Sequence, residues 1–122
     1  MKAIILEDEN RAANHLKRLI GRVVSDMDII ESFETVREAI AYLEQDPALD
    51  LIFSDVQLAD GTSFEVFSKV SVECPIIFTT AYDTYAIEAF NTNGVDYLLK
   101  PIEEERLRKA IEKARKFSSN SA

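Results

Sequence analysis

The segment Ala3-Ile4-Ile5-Leu6-Glu7-Asp8-Glu9 is highly informative about the fold, because it joins a short apolar run directly to a cluster of acids. An unbroken and partly β-branched run of this length is typical of a strand that is buried on both faces of a parallel sheet. Similar runs recur along the chain, at residues 29–33, 51–53, 76–78 and 95–99. The sequence therefore predicts five strands, most of them buried.

Stretches with helical spacing separate these five runs. The first repeats Leu16, Leu19 and Val23 at intervals of three and four residues, which places them on one face of a helix. The last begins with acids at residues 103–105 and ends with basic residues within 113–116, a charge order that matches the helix dipole. Five strands alternating with five helices predict an α/β fold, namely a doubly wound parallel sheet covered on both faces.

The composition indicates one globular domain that needs neither a disulfide nor a structural metal ion to fold. The chain has 122 residues, with 14 Lys and Arg against 22 Asp and Glu, and a formal net charge of −8. An acidic balance of this size disfavours direct contact with nucleic acid or anionic lipid. Cys74 is the only cysteine, which excludes an internal disulfide, and no apolar run approaches the roughly 18 residues of a membrane span. We expect a cytoplasmic protein with a domain at 1–117 and a disordered tail or linker at 118–122.

Polar residues end four of the predicted strands. Glu7 and Asp8 end the first, Asp55 ends the third, Thr80 the fourth and Lys100 follows the fifth. In a doubly wound sheet the ligand site lies beyond the carboxyl ends of the strands, so these side chains should meet at one edge. Three carboxylates repel one another unless a cation offsets them, and Mg²⁺ prefers oxygen ligands. The sequence therefore predicts a Mg²⁺ site that includes Glu7, Asp8 and Asp55.

Asp55 is the predicted nucleophile of this site. A carboxylate beside a bound cation can attack a phosphoryl group and form an acyl phosphate. Lys100 and Thr80 can each pair with a phosphoryl oxygen and so compensate the charge of roughly −2 that the modification brings. Each residue alone also has an ordinary explanation: solvated loop charges for the acids, a strand end for Thr80 and a counterion for Lys100. The agreement of four separate strand ends favours the functional interpretation.

Taken together, Glu7-Asp8, Asp55, Thr80-Ala81 and Lys100-Pro101 resemble, in order and spacing, the receiver domain of bacterial two-component response regulators. The resemblance extends from Lys2 to about Phe117. It implies a flavodoxin-like sheet of strand order 2-1-3-4-5, and a phosphoacceptor Asp55 that takes its phosphoryl group from a histidine kinase. It also implies a regulatory domain rather than an enzyme, one that catalyses only its own phosphorylation and dephosphorylation.

The same resemblance assigns the metal ligands and a proline isomer. It implies that Asp8 and Asp55 hold Mg²⁺ through their carboxylates and that Gln57 adds its backbone carbonyl. Glu7 stands where many receivers have Asp, so its contact with the metal is either direct or through water. Pro101 is implied to follow a cis peptide bond.

A conformational switch is implied as well. Thr80 would move toward the phosphoryl group and Tyr97 would change its rotamer, which carries the signal to the face formed by the fourth helix, fifth strand and fifth helix. The alternative for Tyr97 is an ordinary half-buried strand tyrosine. Residues 81–101 further resemble receivers attached to LytTR-type DNA-binding domains. That likeness implies a transcription regulator that contacts DNA through an output domain outside this sequence and forms a phosphorylation-dependent homodimer, with Tyr82, Tyr85, Ile87 and Phe90 supplying apolar area.

Two other protein classes use parts of this pattern. A haloacid dehalogenase-like phosphatase also forms an aspartyl phosphate, but it usually carries a second Asp two residues after the nucleophile, where this chain has Gln57. A receiver-like binding module that is never phosphorylated would be expected to lack the aspartate, the acidic pair or the lysine. His15 is the only histidine, and a histidine phosphotransfer domain would be an all-helical bundle without these strands. The receiver interpretation is therefore preferred.

Overall fold

A five-stranded parallel sheet forms the centre of the computed structural model, which describes residues 1–82 and 94–120, with side chains up to Phe117. The strands of this sheet are β1 (Lys2–Leu6), β2 (Asp28–Phe33), β3 (Leu51–Asp55), β6 (Ile76–Thr80) and β7 (Gly94–Leu99). Their order is β2-β1-β3-β6-β7, with every pair parallel. Two short strands, β4 (Gln57–Leu58) and β5 (Gly61–Thr62), form a separate antiparallel hairpin. If the two hairpin strands are not counted, β6 and β7 become the fourth and fifth strands of the sheet. The strand order is then the predicted 2-1-3-4-5, and the predicted fold is confirmed.

Four helices lie within the described residues. They are α1 (Asn10–Val23), α2 (Val36–Leu43), α3 (Ser63–Lys69) and α4 (Glu104–Asn120). The predicted helix between β6 and β7 falls within residues 83–93, outside the described residues. Helix α4 extends beyond Phe117, and the tail or linker expected at 118–122 stays a prediction. Among the described residues, none of the helices combines the length and the apolarity that crossing a bilayer requires.

The alternating side chains of β3 show why its sequence is apolar throughout. Phe53 joins a cluster that α1 and α4 cover, with Leu16 and Ile111 among its members. Ile52 points to the opposite face, where α2 and α3 contribute Ala39 and others to a second cluster. Successive residues of a strand face opposite sides of the sheet, so a strand between two helical layers must be apolar at every position. All five residues of β3 are buried, as the sequence predicts for a central strand.

Strand β2 departs from that pattern because it is an edge strand. Within residues 1–82 and 94–120 it pairs only with β1, and its burial alternates weakly, leaving Ile30 43% exposed. An edge strand is protected from pairing with other chains by charges and short length, and β2 carries Asp28 and Glu31. The apolar run at residues 29–33 therefore predicted the strand correctly but not its partial exposure.

Parallel pairing aligns the carboxyl ends of the inner strands at one edge of the sheet. The register places three pairs side by side there: Leu6 with Ser54, Asp55 with Thr79, and Thr80 with Leu99. Glu7 and Lys100 are the next residues after Leu6 and Leu99, so they emerge at the same level as Asp55. The fold thereby gathers residues that are far apart in the chain.

Candidate functional site

The carboxyl edge of the sheet brings Lys100 between two buried acids. Its Nζ donates to Glu7 Oε1 at 2.7 Å and to Asp55 Oδ2 at 2.8 Å. Glu7 is only 5% exposed and Asp55 only 7%, so water screens these two ion pairs less than it would at the surface. The peptide bond between Lys100 and Pro101 is cis. We refer to Glu7, Asp8, Asp55 and Lys100 as the acidic edge cluster.

The charges of this cluster perturb one another. Burial raises the pKa of Glu7 from 4.5 to about 7, and the nearby Asp55 charge adds to the rise, although the hydrogen bond from Lys100 opposes it. Burial alone would lower the pKa of Lys100, but its hydrogen bonds to Asp55 and Glu7 outweigh that effect and raise the pKa. One ammonium group thus faces three carboxylates, which leaves the cluster anionic and attractive to a cation.

The donor set of the cluster fits a hard divalent cation. Glu7, Asp8 and Asp55 each offer a carboxylate oxygen, and these oxygens lie within 4.8 Å of one another. Both oxygens of Glu7 are already engaged, Oε1 by Lys100 and Oε2 by the backbone N–H of Glu9 at 3.2 Å. Asp8 is the most accessible of the three acids. Oxygen ligands of this kind suit Mg²⁺, and Asp8 is the acid of the cluster that is most open to it.

Gln57 approaches Asp55 through its backbone. It begins the hairpin strand β4, and its N–H donates to Asp55 Oδ1 at 3.1 Å. Asp55 therefore accepts a hydrogen bond on each oxygen, from Lys100 on one side and Gln57 on the other. These two contacts fix the plane of the carboxylate that the sequence predicts as the nucleophile.

Thr80 and Tyr97, the predicted switch residues, are connected through the backbone of Tyr82. The Thr80 hydroxyl accepts the N–H of Tyr82 at 3.3 Å, and the Tyr97 hydroxyl donates to the carbonyl of the same residue. Thr80 is fully buried, and its own carbonyl accepts the N–H of Lys100 at 2.8 Å. The sequence interpretation placed Tyr82 among the apolar contacts and missed this connection, because a backbone hydrogen bond has no side-chain signature. Tyr85, Ile87 and Phe90 lie outside the described residues.

Cys74 and His15 stand apart from the cluster. Cys74 is half-buried at the end of the sheet where β6 begins, and burial raises the pKa of its thiol to about 11, so the reactive thiolate is scarce near neutral pH. His15 is exposed on helix α1. Both agree with the sequence interpretation, which assigned neither of them a chemical role.

Comparison with known proteins points to one family. Residues 3–112 match the family described as the response regulator receiver domain. The chain is 36% identical over 119 residues to the sensory transduction protein LytT of Bacillus cereus, an alignment covering 95% of this chain and 48% of LytT. It is 40% identical over 118 residues to the transcriptional regulatory protein LytR of Staphylococcus aureus, covering 94% of this chain and 47% of LytR. The chain thus spans about half the length of these curated relatives.

A solved structure supports the same assignment. The response regulatory domain of protein mrkE from Klebsiella pneumoniae superposes with a TM-score of 0.85 at 32% identity, and the match covers 98% of this chain and 99% of that domain. The names LytT and LytR also agree with the predicted likeness to LytTR-class receivers. On the family match and these identities, the chain belongs to the response regulator receiver domain family.

Proposed function

We propose that this chain is a phosphorylation-dependent switch in which Asp55 accepts a phosphoryl group from a histidine kinase. The observation that carries the proposal is the contact of Lys100 Nζ with both Glu7 and Asp55 inside an otherwise acidic cluster. In the transfer, the N–P bond of a phosphohistidine breaks and an O–P bond to Asp55 forms. The histidine nitrogen keeps the bonding electron pair and takes up a proton.

Mg²⁺ is the cofactor of this proposal. The carboxylates of Asp8 and Asp55 and the backbone carbonyl of Gln57 would hold it, while Glu7 would hold Lys100 in place and act on the ion through water. The bound ion supplies charge neutralisation at the phosphoryl oxygens. The donor set of the acidic edge cluster supports this assignment.

Lys100 and Thr80 would bind the negatively charged oxygens of the phosphoryl group on Asp55. Lys100 Nζ lies 2.8 Å from Asp55 Oδ2, close enough to bind a phosphoryl oxygen on that carboxylate after a small movement. A hydroxyl group both donates and accepts, so Thr80 can donate to a second phosphoryl oxygen while it still accepts the N–H of Tyr82. Each such bond to a charged acceptor is stronger than a neutral one.

The signal would leave the site through Tyr82 and Tyr97. A movement of the Thr80 hydroxyl toward the phosphoryl group pulls on the Tyr82 backbone, which also accepts from the Tyr97 hydroxyl. When the hydrogen bond from the Tyr97 hydroxyl to the Tyr82 carbonyl breaks, Tyr97 is free to change its rotamer. That change alters the surface next to β7, which is the proposed homodimer face. In this account the domain works in the cytoplasm as a transcription regulator, and DNA is contacted by a LytTR-type output domain, since a chain of net charge −8 is a poor ligand for DNA.

Acetyl phosphate with Mg²⁺ tests the proposal. The intact mass of the wild type should gain one phosphoryl group, and Asp55→Asn or removal of Mg²⁺ by a chelator should abolish the gain. Asp46→Asn is a matched control, because Asp46 is an exposed acid with positive φ, where Asn is well tolerated. An unlabelled wild type, or equal labelling of Asp55→Asn, contradicts the proposal. Sedimentation before and after labelling tests the phosphorylation-dependent dimer.

A further inference from the structure

The β4–β5 hairpin is attached at its tip to the beginning of helix α2. Asp60 Oδ1 accepts the N–H of Val36 at 2.5 Å, and Asp60 Oδ2 accepts the N–H of Arg37 at 3.2 Å. The N–H of Ala59 also donates to the carbonyl of Glu34 at 3.1 Å. The first N–H groups of a helix have no partner within the helix, so Asp60 satisfies two of them from a different part of the chain.

The base of the same hairpin lies at the acidic edge cluster. Gln57 pairs with Thr62 across the hairpin, and its N–H donates to Asp55. The N–H of Ser63 closes the base by donating to the carbonyl of Val56 at 2.8 Å. Only Ala59 and Asp60 separate the two paired strands, so the tip and the base are joined by a short, hydrogen-bonded ladder. A movement of the tip is therefore transmitted to Gln57.

On its other side the hairpin lies next to a side chain of helix α3. Gly61 has φ +154°, and a Cβ at that position would lie 2.6 Å from Oε2 of Glu65 in helix α3. Asp60 is thus the hydrogen-bonded anchor of the hairpin to α2, while α3 follows the hairpin directly in the chain. The two backbone N–H groups also lower the pKa of Asp60, which keeps the anchor ionised at neutral pH.

We propose that Asp60 is a positioning residue for the Mg²⁺ site, because its attachment of the hairpin tip to α2 fixes the place of the Gln57 carbonyl. The proposal rests on the proposed function, in which that carbonyl is a metal ligand. Mg²⁺ requires near-octahedral geometry with ligands at about 2.0 to 2.1 Å, so a small displacement of one ligand weakens binding. Residues that orient metal ligands typically account for about 10- to 100-fold in affinity.

Helix α2 offers a matched control for this role. Thr35 caps the same helix end by accepting the N–H of Glu38 at 3.0 Å and donating to Glu38 Oε1 at 3.0 Å. Thr35→Ala therefore weakens the beginning of α2 while leaving the Asp60 carboxylate in place. Asp60→Asn provides a conservative variant, because it removes the charge but keeps an oxygen that can accept the N–H of Val36.

The experiment measures Mg²⁺ affinity of the whole chain by titration followed in ¹⁵N NMR spectra, with thermal unfolding recorded for each variant. We expect Asp60→Ala to weaken Mg²⁺ binding about 10-fold and to shift the Gln57 amide signal even without Mg²⁺. Thr35→Ala should stay within about twofold of the wild type, and Asp60→Asn should recover most of the affinity.

Three results would overturn the role of Asp60. The first is a folded Asp60→Ala that binds Mg²⁺ as the wild type does. The second is an equal loss in Thr35→Ala, which would assign the effect to the stability of α2. The third is an equal loss in Asp60→Asn, which would assign it to charge. These results leave phosphorylation of Asp55 untouched, whereas a wild type that binds no Mg²⁺ removes both the proposed function and this role.

Discussion

Replacing Lys100 by Met tests the electrostatics of the acidic edge cluster. Met keeps most of the length of the lysine stem but removes the ammonium group that contacts Glu7 at 2.7 Å and Asp55 at 2.8 Å. Removing one partner of a buried ion pair costs about 3 to 5 kcal/mol. The side chain of Lys100 is still 28% exposed, so we expect the lower end of that range, about 3 kcal/mol at about pH 8 without divalent ions.

The cost should depend on pH through Glu7. The folded-state pKa of Glu7, about 7, lies above the ordinary value of 4.5, so the folded state loses stability as pH rises between these values. The Lys100 ammonium limits this loss of stability. In Lys100→Met the Glu7 carboxyl group should therefore remain protonated to a higher pH. At about pH 5.5 Glu7 is neutral and no longer repels Asp55, so the cost should fall to about 1.5 kcal/mol, the lower value for a lost hydrogen bond to a charged group, which here is Asp55.

Urea denaturation followed by circular dichroism measures this cost at both pH values. Arg22→Met is the matched control, since Arg22 forms a pair with Glu104 in which the two side chains are 66% and 46% exposed. Such surface pairs contribute about 0 to 1 kcal/mol, with little change over this pH range. Excess Mg²⁺ should return part of the stability of Lys100→Met, because the ion supplies the missing positive charge. A cost that is equal at both pH values, or below about 0.5 kcal/mol at the higher one, refutes the reasoning.

Three further predictions concern positions outside the cluster. Asp26 accepts two hydrogen bonds from Arg115, at 2.9 and 2.5 Å. These bonds lower the pKa of Asp26 from 3.8 to about 2. The ion pair therefore stabilises the fold above pH 3.8, and this stabilisation is lost as pH falls through 2. Asp26→Asn should lower the thermal midpoint at neutral pH and not near pH 2, and an equal decrease at both would contradict this. Gly61→Ala should destabilise the fold by about 1 to 3 kcal/mol, because φ is +154°, a backbone conformation that is strained for a residue with a Cβ; a urea midpoint like that of the wild type would be the contrary result. Phe78→Ala should cost about 3 to 5 kcal/mol, since Phe78 is fully buried, and a loss below about 1 kcal/mol would show that the core collapses around the gap.

The sheet and its edge were predictable because they depend on local patterns. The run at residues 51–53 is apolar at every position, as a strand buried on both faces requires. Once the strands are parallel, their carboxyl ends must lie together, and the structure does bring Glu7, Asp55 and Lys100 within hydrogen-bond distance. Their roles in phosphoryl transfer stay predictions.

Contacts that are made by backbone atoms, or that depend on exact distances, were beyond the reach of the sequence. The local pattern at Asp60 and Gly61 indicates a turn, but Asp60 caps a helix 24 residues earlier in the chain, and its hydrogen bonds go to backbone N–H groups that every residue type offers. The sequence also left open whether Glu7 contacts a metal directly or through water, because that depends on distances rather than on residue types. Tyr82 likewise connects Thr80 to Tyr97 through its backbone N–H and carbonyl groups.

Phosphorylation of Asp55 can be tested by locating the phosphoryl group itself. After incubation with Mg²⁺ and acetyl phosphate, borohydride reduces an aspartyl phosphate to homoserine, and peptide mass spectrometry identifies the converted residue. We expect homoserine at position 55, at no other acid of the cluster, and only when Mg²⁺ is present. Conversion at Asp8, or none at all in a folded protein that binds Mg²⁺, would contradict it.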